Sequence, residues 1–266
     1  QEKNYGCDPS EYLSQKWAFS IVDRCIVLED DDVPSQSFFP FCKELLDRYA
    51  DDERIGMIAG FNSDEVTPDV PDDYFFTTVF SIWGWASWRR VIDTWDSHYT
   101  FLDDNYVMRQ VRDLWKLRKY RRHLLDMCYH HRDSGKEYYE TIFCMSLVLN
   151  HQLAIMPTRN LVNNLGATPD STHYAANLNT IPARLRRMYT MQRHTLQFPL
   201  RHPTHIIEHL AFKEHVYRTN AWGHPWLKIG RSLEELFNNL RYGNFRQIGL
   251  AIRNRWNILT GRNQYK

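Results

Sequence analysis

The chain predicts an α/β fold: a sheet flanked by helices, with a basic helical extension at its C-terminal end. Three observations predict it. Short β-branched runs alternate with helix-period segments, four acids follow directly behind the first run, and the charge balance switches near residues 181–194. With 266 residues, 43% of them hydrophobic, the chain has enough apolar mass for one substantial core.

The elements follow in order. Residues 25–28 (CIVL) form an apolar, partly β-branched run suited to a strand buried on both faces. Residues 33–37 (VPSQS) break it. After Ser37 as N-cap, Phe38, Cys42, Leu45, Leu46 and Tyr49 keep helical spacing, and Pro40 lies in the tolerant first turn. Residues 55–62 and 74–83 read as further strands. Helical patterns are expected around 87–96, 105–125 and 137–150, and another strand at 153–157. In sheets of this kind ligands bind beyond the carboxyl ends of strands, which is where the acids stand.

Glu29, Asp30, Asp31 and Asp32 are consecutive. A solvated turn that caps the next helix accounts for one or two of them. Adjacent carboxylates repel one another and raise each other's pKa values, so four at a strand end suggest a compensating divalent cation with hard oxygen ligands. Mg²⁺ or Mn²⁺ is expected, bound by one or two carboxylates and completed by substrate phosphates.

Composition bounds the rest. The net charge is +1, and no nucleic-acid partner is expected. No window approaches the length of apolar sequence that spans a bilayer, and the first residues lack a signal-peptide core. The five cysteines are scattered and odd in number, and no Asn-x-Ser/Thr sequon is present, so a reducing, cytoplasmic compartment is expected. The HRD triplet at 131–133 lacks the other parts of a kinase, and no P-loop, G-x-G-x-x-G, G-x-S-x-G or H-E-x-x-H motif occurs.

Four stretches occur in the order found in one enzyme group. LEDDDVPSQSFFPFCKELLDRY (28–49) resembles the LEDD-x-x-P-x-x-x-FF-x-F segment of bacterial family 2-like glycosyltransferases of the GT-A fold. It is more distantly similar to the EDD segment of the N-acetylglucosaminyltransferase I group. NYGCDPSEYLSQKWAF (4–19) resembles the segment before that strand, SIWGWASWRR (81–90) the WGWATWRR element, and NLVNNLGATPDSTHY (160–174) the NLV-x-NIG-x-x-x-D-ATHT element.

The resemblance implies a Rossmann-like mixed sheet over residues 1–180 and a mainly helical extension over 181–266. It also implies hexosyl or N-acetylhexosaminyl transfer from a nucleotide-diphosphate sugar, with inversion, to a glycan or lipid-linked hydroxyl. Asp31 would be the direct metal ligand, His173 a second one, Asp30 nearer the ribose, Glu29 an anchor and Asp32 a helix cap. Glu140 falls at the position of the family's catalytic base, beside Tyr139. It replaces the usual Asp, which keeps the carboxylate but lengthens its reach. Gly84 would let backbone approach a ligand, one of Trp83, Trp85 and Trp88 would touch it, with Trp85 the assigned contact, and Asp170 would bind substrate. Relatives place about a third of their domain ahead of the point where this chain begins, so a piece of a longer enzyme is expected. A metal-dependent phosphohydrolase or nuclease and a noncatalytic sugar-binding module are the rival classes.

Residues 193–266 carry 12 Lys/Arg against 4 Asp/Glu, whereas residues 1–192 carry 21 against 28. Leu236, Leu240, Phe245, Ile248, Ile252, Trp256 and Leu259 follow helical spacing among Arg246, Arg253, Arg255 and Arg262. Such a basic amphipathic end either lies on anionic lipid, as peripheral contact at the inner face of a membrane, or packs its apolar face on the catalytic body. Simple packing is the preferred expectation.

Overall fold

The computed structural model describes residues 4–166 and 178–260. Its main sheet has five strands: β1 (Arg24–Val27), β3 (Ile55–Ala59), β4 (Tyr74–Thr77), β5 (Trp85–Trp88) and β6 (Leu153–Pro157). The spatial order is β1-β5-β3-β6-β4. β3 and β6 run parallel, and the pairs β1/β5, β3/β5 and β4/β6 are antiparallel, so the sheet is mixed and open. A second, two-stranded sheet joins β2 (Asp32–Pro34) antiparallel to β7 (Val162–Asn164).

The helices are α1 (Cys7–Ile21), α2 (Phe38–Arg48), α3 (Arg89–Ile92), α4 (Asn105–Leu114), α5 (Arg118–Ser134), α6 (Tyr139–Leu149), α7 (Ala183–Arg186), α8 (Leu210–Thr219), α9 (Pro225–Arg241) and α10 (Phe245–Leu259). α2 buries Phe38, Phe41, Cys42, Leu45 and Leu46, one stripe at helical spacing that covers the sheet. β3 is buried at every position because it lies in the middle of the sheet with helices packed on it.

Three expectations are corrected. Residues 87–96 do not form one helix: Trp85–Trp88 is a strand inserted between β1 and β3, and only Arg89–Ile92 is helical. All four strand residues are buried, so no polar alternation marks them in the sequence. The pattern at 105–125 is two helices. Asp104 caps α4 by accepting from the backbone N–H groups of Tyr106 at 2.8 Å and Val107 at 3.0 Å, and the chain breaks before Arg118. Ser37 precedes α2, yet its hydroxyl accepts from Leu196 N–H at 3.0 Å and makes no cap bond to its own helix.

Residues beyond 180 do not leave the body at once. Leu196, Leu200, Phe212 and Tyr217 belong to the same core as the sheet. The segment is tied down by His194 N–H to the Asn160 carbonyl at 2.8 Å and His209 N–H to the Phe76 carbonyl at 2.8 Å. α9 and α10 are different. Leu236, Leu240, Phe245, Ile252 and Trp256 are all exposed, so the expected packing of the tail's apolar stripe on the body is not what the fold shows. Among the described residues no helix is long and apolar enough to cross a membrane.

Candidate functional site

The acidic turn lies between β1 and β2, at the carboxyl end of β1. Oxygens of Glu29, Asp31 and Asp32 come within 4.8 Å of one another, while Asp30 is exposed at the tip. The turn closes by Asp32 N–H to the Glu29 carbonyl at 3.1 Å, which keeps the side chains on one side of a tight bend.

Asp32 is the anchor of this turn, not a helix cap. Its Oδ2 accepts from the backbone N–H groups of Gly84 at 2.8 Å and Glu29 at 3.2 Å. Gly84 has φ +62°, and a Cβ there would meet Val162 at 2.8 Å, so only glycine brings this N–H onto the carboxylate. The close backbone approach expected of Gly84 is therefore made to Asp32.

Asp31 presents a different face. Its Oδ1 accepts from Asn164 Nδ2 at 2.6 Å, and the same amide reaches Asp32 Oδ1 at 3.3 Å, so one β7 side chain holds two acids in place. Its Oδ2 accepts no hydrogen bond from the described residues and faces Gly166, where a Cβ would lie 2.0 Å from it. Asp31 Oδ2 can lie this close to the chain at 166 because that residue has no side chain.

Glu29 accepts a 2.6 Å hydrogen bond from the Tyr139 hydroxyl at the start of α6. The next residue, Glu140, lines a cavity of about 340 Å³ walled by the loop after β4 (Thr78–Ile82), by α5, α6 and α8, and by Trp222. The first turn of α6 thus touches the acids through Tyr139 and the cavity through Glu140. His131 of the HRD triplet is bound to Thr141 Oγ1 at 2.7 Å, and burial pushes its pKa down to about 4, so it serves α6 as a neutral hydrogen-bond partner.

Trp85 is fully buried, stacked on Phe19 and Tyr139 and tilted against Phe143 at 4.9 Å. Its assignment as a ligand contact is corrected: the ring is core. Trp88 is also buried, with its indole N–H on the Leu46 carbonyl at 3.1 Å. Trp83, half-buried against Phe61 and Tyr189, is the tryptophan left near the surface. Asp170 and His173 lie outside the described residues. Asn164 and Tyr139 are the residues whose roles the sequence did not disclose. Asn164 stands within the NLVNNLG stretch, but nothing local says that its amide reaches back to residues 31 and 32.

Burial pushes the Glu29 carboxyl up to about 7, with Asp32, Glu11 and Asp31 adding to the rise against the Tyr139 hydrogen bond. Burial likewise raises Asp32 to about 6, against its bonds from Glu29, Asn164 and Gly84. These groups bind protons more tightly in the fold than in the unfolded chain. Their contribution to stability is therefore present at low pH and is lost as pH rises through about 6 to 7. A bound divalent cation reverses that loss, because its carboxylate ligands must be ionised. The donor set, hard oxygens with an Asp31 Oδ2 that accepts no hydrogen bond from the described residues, fits Mg²⁺ or Mn²⁺. The thermal stabilisation by Mn²⁺ is expected to be larger at about pH 7.5 than at about pH 5. Equal shifts at both values in a fluorimetric melt would count against a metal among these acids.

No protein-family model matches the chain, and no curated protein is significantly similar to it in sequence.

Proposed function

We propose that the protein is a divalent-metal-dependent glycosyltransferase of GT-A type. It would move a sugar from a nucleotide-diphosphate donor to a hydroxyl of a glycan or lipid-linked acceptor, with inversion. The observation that carries this reading is the position of α6. Its first turn bonds the acidic turn through Tyr139 and lines a cavity through the next residue, Glu140, which suits a diphosphate held at one place and a hydroxyl deprotonated by a residue of the same helix.

Asp31 would hold the ion, with Glu29 close by, and Asn164 keeps the Asp31 carboxylate aimed. When bound, the ion offsets negative charge on the departing nucleotide diphosphate. Glu140 accepts the proton of the acceptor hydroxyl as that oxygen attacks the anomeric carbon. The cavity's largely apolar wall, including Phe80, Leu124, Met127 and Phe212, keeps competing water away from that carbon. Among the described residues one such acid group is present, which suits a single ion better than the ion pair of a two-metal phosphohydrolase.

The test is a panel of nucleotide sugars and acceptors assayed with Mn²⁺. Glu140→Gln keeps the shape and removes the base. It is expected to lower kcat by about 10²–10⁴-fold with little change in donor affinity. Unchanged turnover in this variant would remove Glu140 from the reaction, and no turnover of any nucleotide sugar by the unaltered chain would reject the class.

A further inference from the structure

α5 and α9 both begin with charge of the sign a helix start disfavours. Aligned peptide dipoles leave positive charge at that end, so acids are stabilising there and bases are not. α5 nevertheless opens on Arg118, Lys119, Arg121 and Arg122, and α9 carries Lys228 and Arg231 within its first two turns. Neither first turn holds an acid, and no side chain caps either helix.

The fold brings these two basic ends together. Trp222, in the turn between α8 and α9, packs its ring on Tyr120 at 4.9 Å and on His123 at 5.5 Å, which sets the start of α9 against α5. Lys119 and Arg122 stand three residues apart on α5, and Lys228 and Arg231 stand three apart on α9, so each pair shares a helix face. The two pairs line one pocket of about 550 Å³, in which Asp126 is the one acid. None of the four cations has an ion-pair or hydrogen-bond partner among the described residues. Like charges gathered in a concave site repel one another, and a bound anion relieves them. Four cations against one acid suit a doubly charged phosphate or a diphosphate better than a single carboxylate, and both side-chain types bind phosphate oxygens well.

The neighbouring cavity says what the phosphate is attached to. His123, Asn220 and Trp222 line the basic pocket and also the 340 Å³ cavity that Glu140 lines. Both volumes lie in the range of small-molecule sites, about 300–1,000 Å³. One ligand can therefore place an anionic end among the cations and an uncharged end in the largely apolar cavity.

We propose that the basic pocket binds the phosphate of the acceptor, a hydroxyl-bearing phosphate ester or diphosphate whose far end enters the cavity lined by Glu140. The acceptor role rests on the transferase reading, whereas the anion site stands without it. In the transfer the acceptor oxygen bonds to the anomeric carbon and gives its proton to Glu140. The nucleoside diphosphate leaves with the electron pair of the broken bond, and the acceptor's own phosphate is unchanged.

Isothermal titration of the full chain with inorganic pyrophosphate, without metal or nucleotide sugar, tests the site by itself. Binding is expected, and it should weaken as salt rises. Lys228→Glu with Arg231→Glu should weaken it at least about tenfold, and so should Lys119→Gln with Arg122→Gln from the other helix. Both pairs should leave the circular-dichroism melt unaltered, since none of the four side chains is bonded within the fold. Arg241→Glu, on the same helix but outside the pocket, should bind pyrophosphate like the parent. Absence of binding, parental binding in both pair variants, or an equal loss in Arg241→Glu would overturn the site. Displacement of pyrophosphate by octyl phosphate or by glucose 1-phosphate tells a lipid phosphate from a sugar phosphate, and either supports it. In the transfer assay Lys228→Glu with Arg231→Glu should raise KM for a phosphorylated acceptor at least about tenfold and leave KM for the donor unchanged. A rise for the donor instead would overturn the acceptor role, and no turnover by the parent beside intact pyrophosphate binding would remove that role together with the transferase reading.

Discussion

Asp31→Ala is expected to abolish Mn²⁺-dependent stabilisation and, under the proposed chemistry, to lower sugar transfer on the order of a thousandfold. The reason is positional. Asp32 spends both oxygens on Gly84, Glu29 and Asn164, and Glu29 receives the Tyr139 hydroxyl, so Asp31 Oδ2 is the oxygen best placed to bind an ion. Removing one of three mutually repelling acids should leave the fold as stable as before, or slightly more so, when no metal is present. Gly166→Ala attacks the same oxygen from outside, since its Cβ would lie 2.0 Å from Asp31 Oδ2. It should weaken Mn²⁺ affinity about 10–100-fold while Asp31 itself remains. Isothermal titration with Mn²⁺, alongside melts of the metal-free variants, checks both. If Asp31→Ala binds Mn²⁺ like the parent chain, the ion is held elsewhere.

Trp85→Ala is expected to destabilise the protein by about 3–5 kcal/mol, lowering the melting midpoint by about 10 °C. Trp85 pairs with Val27 on one side and Ala59 on the other, and its ring fills the space between Phe19, Tyr139 and Phe143. Truncation leaves a cavity under the helix that carries Tyr139, so the bond to Glu29 should loosen as well. The indole nitrogen of Trp85 is buried without a hydrogen-bond partner among the described residues. Trp85→Phe therefore loses no hydrogen bond and should cost well under half as much. A ligand platform would behave differently, with KM rising and the melt unchanged. That outcome in Trp85→Ala would return the ring to the site.

The two expectations that concern Trp85 show why local reading falls short there. Three tryptophans around a glycine look the same in sequence whether they face a ligand or a core. Only the insertion of β5 between β1 and β3, a pairing across 24 to 88, decides that Trp85 and Trp88 face inward. The same holds for the tail. Helical spacing of apolar residues is a property of one helix, but which side of that helix meets the body depends on polar contacts such as Glu234 with residue 183, far away in the chain.

What the sequence determined by itself was the succession of β1, acidic turn and α2, and the crowding of four acids behind β1. Both follow from near neighbours: side-chain branching, apolar period and the repulsion between adjacent carboxylates. The division of labour among those acids was decided by the tertiary structure alone. Asp32 became an anchor because Gly84 and Asn164 arrive from 52 and 132 residues away, Glu29 because Tyr139 arrives from 110, and Asp31 Oδ2 is left without a hydrogen bond among the described residues, lying close against Gly166. Hydrogen bonds and close packing between distant segments exist only once the sheet has formed, so no local pattern carries them.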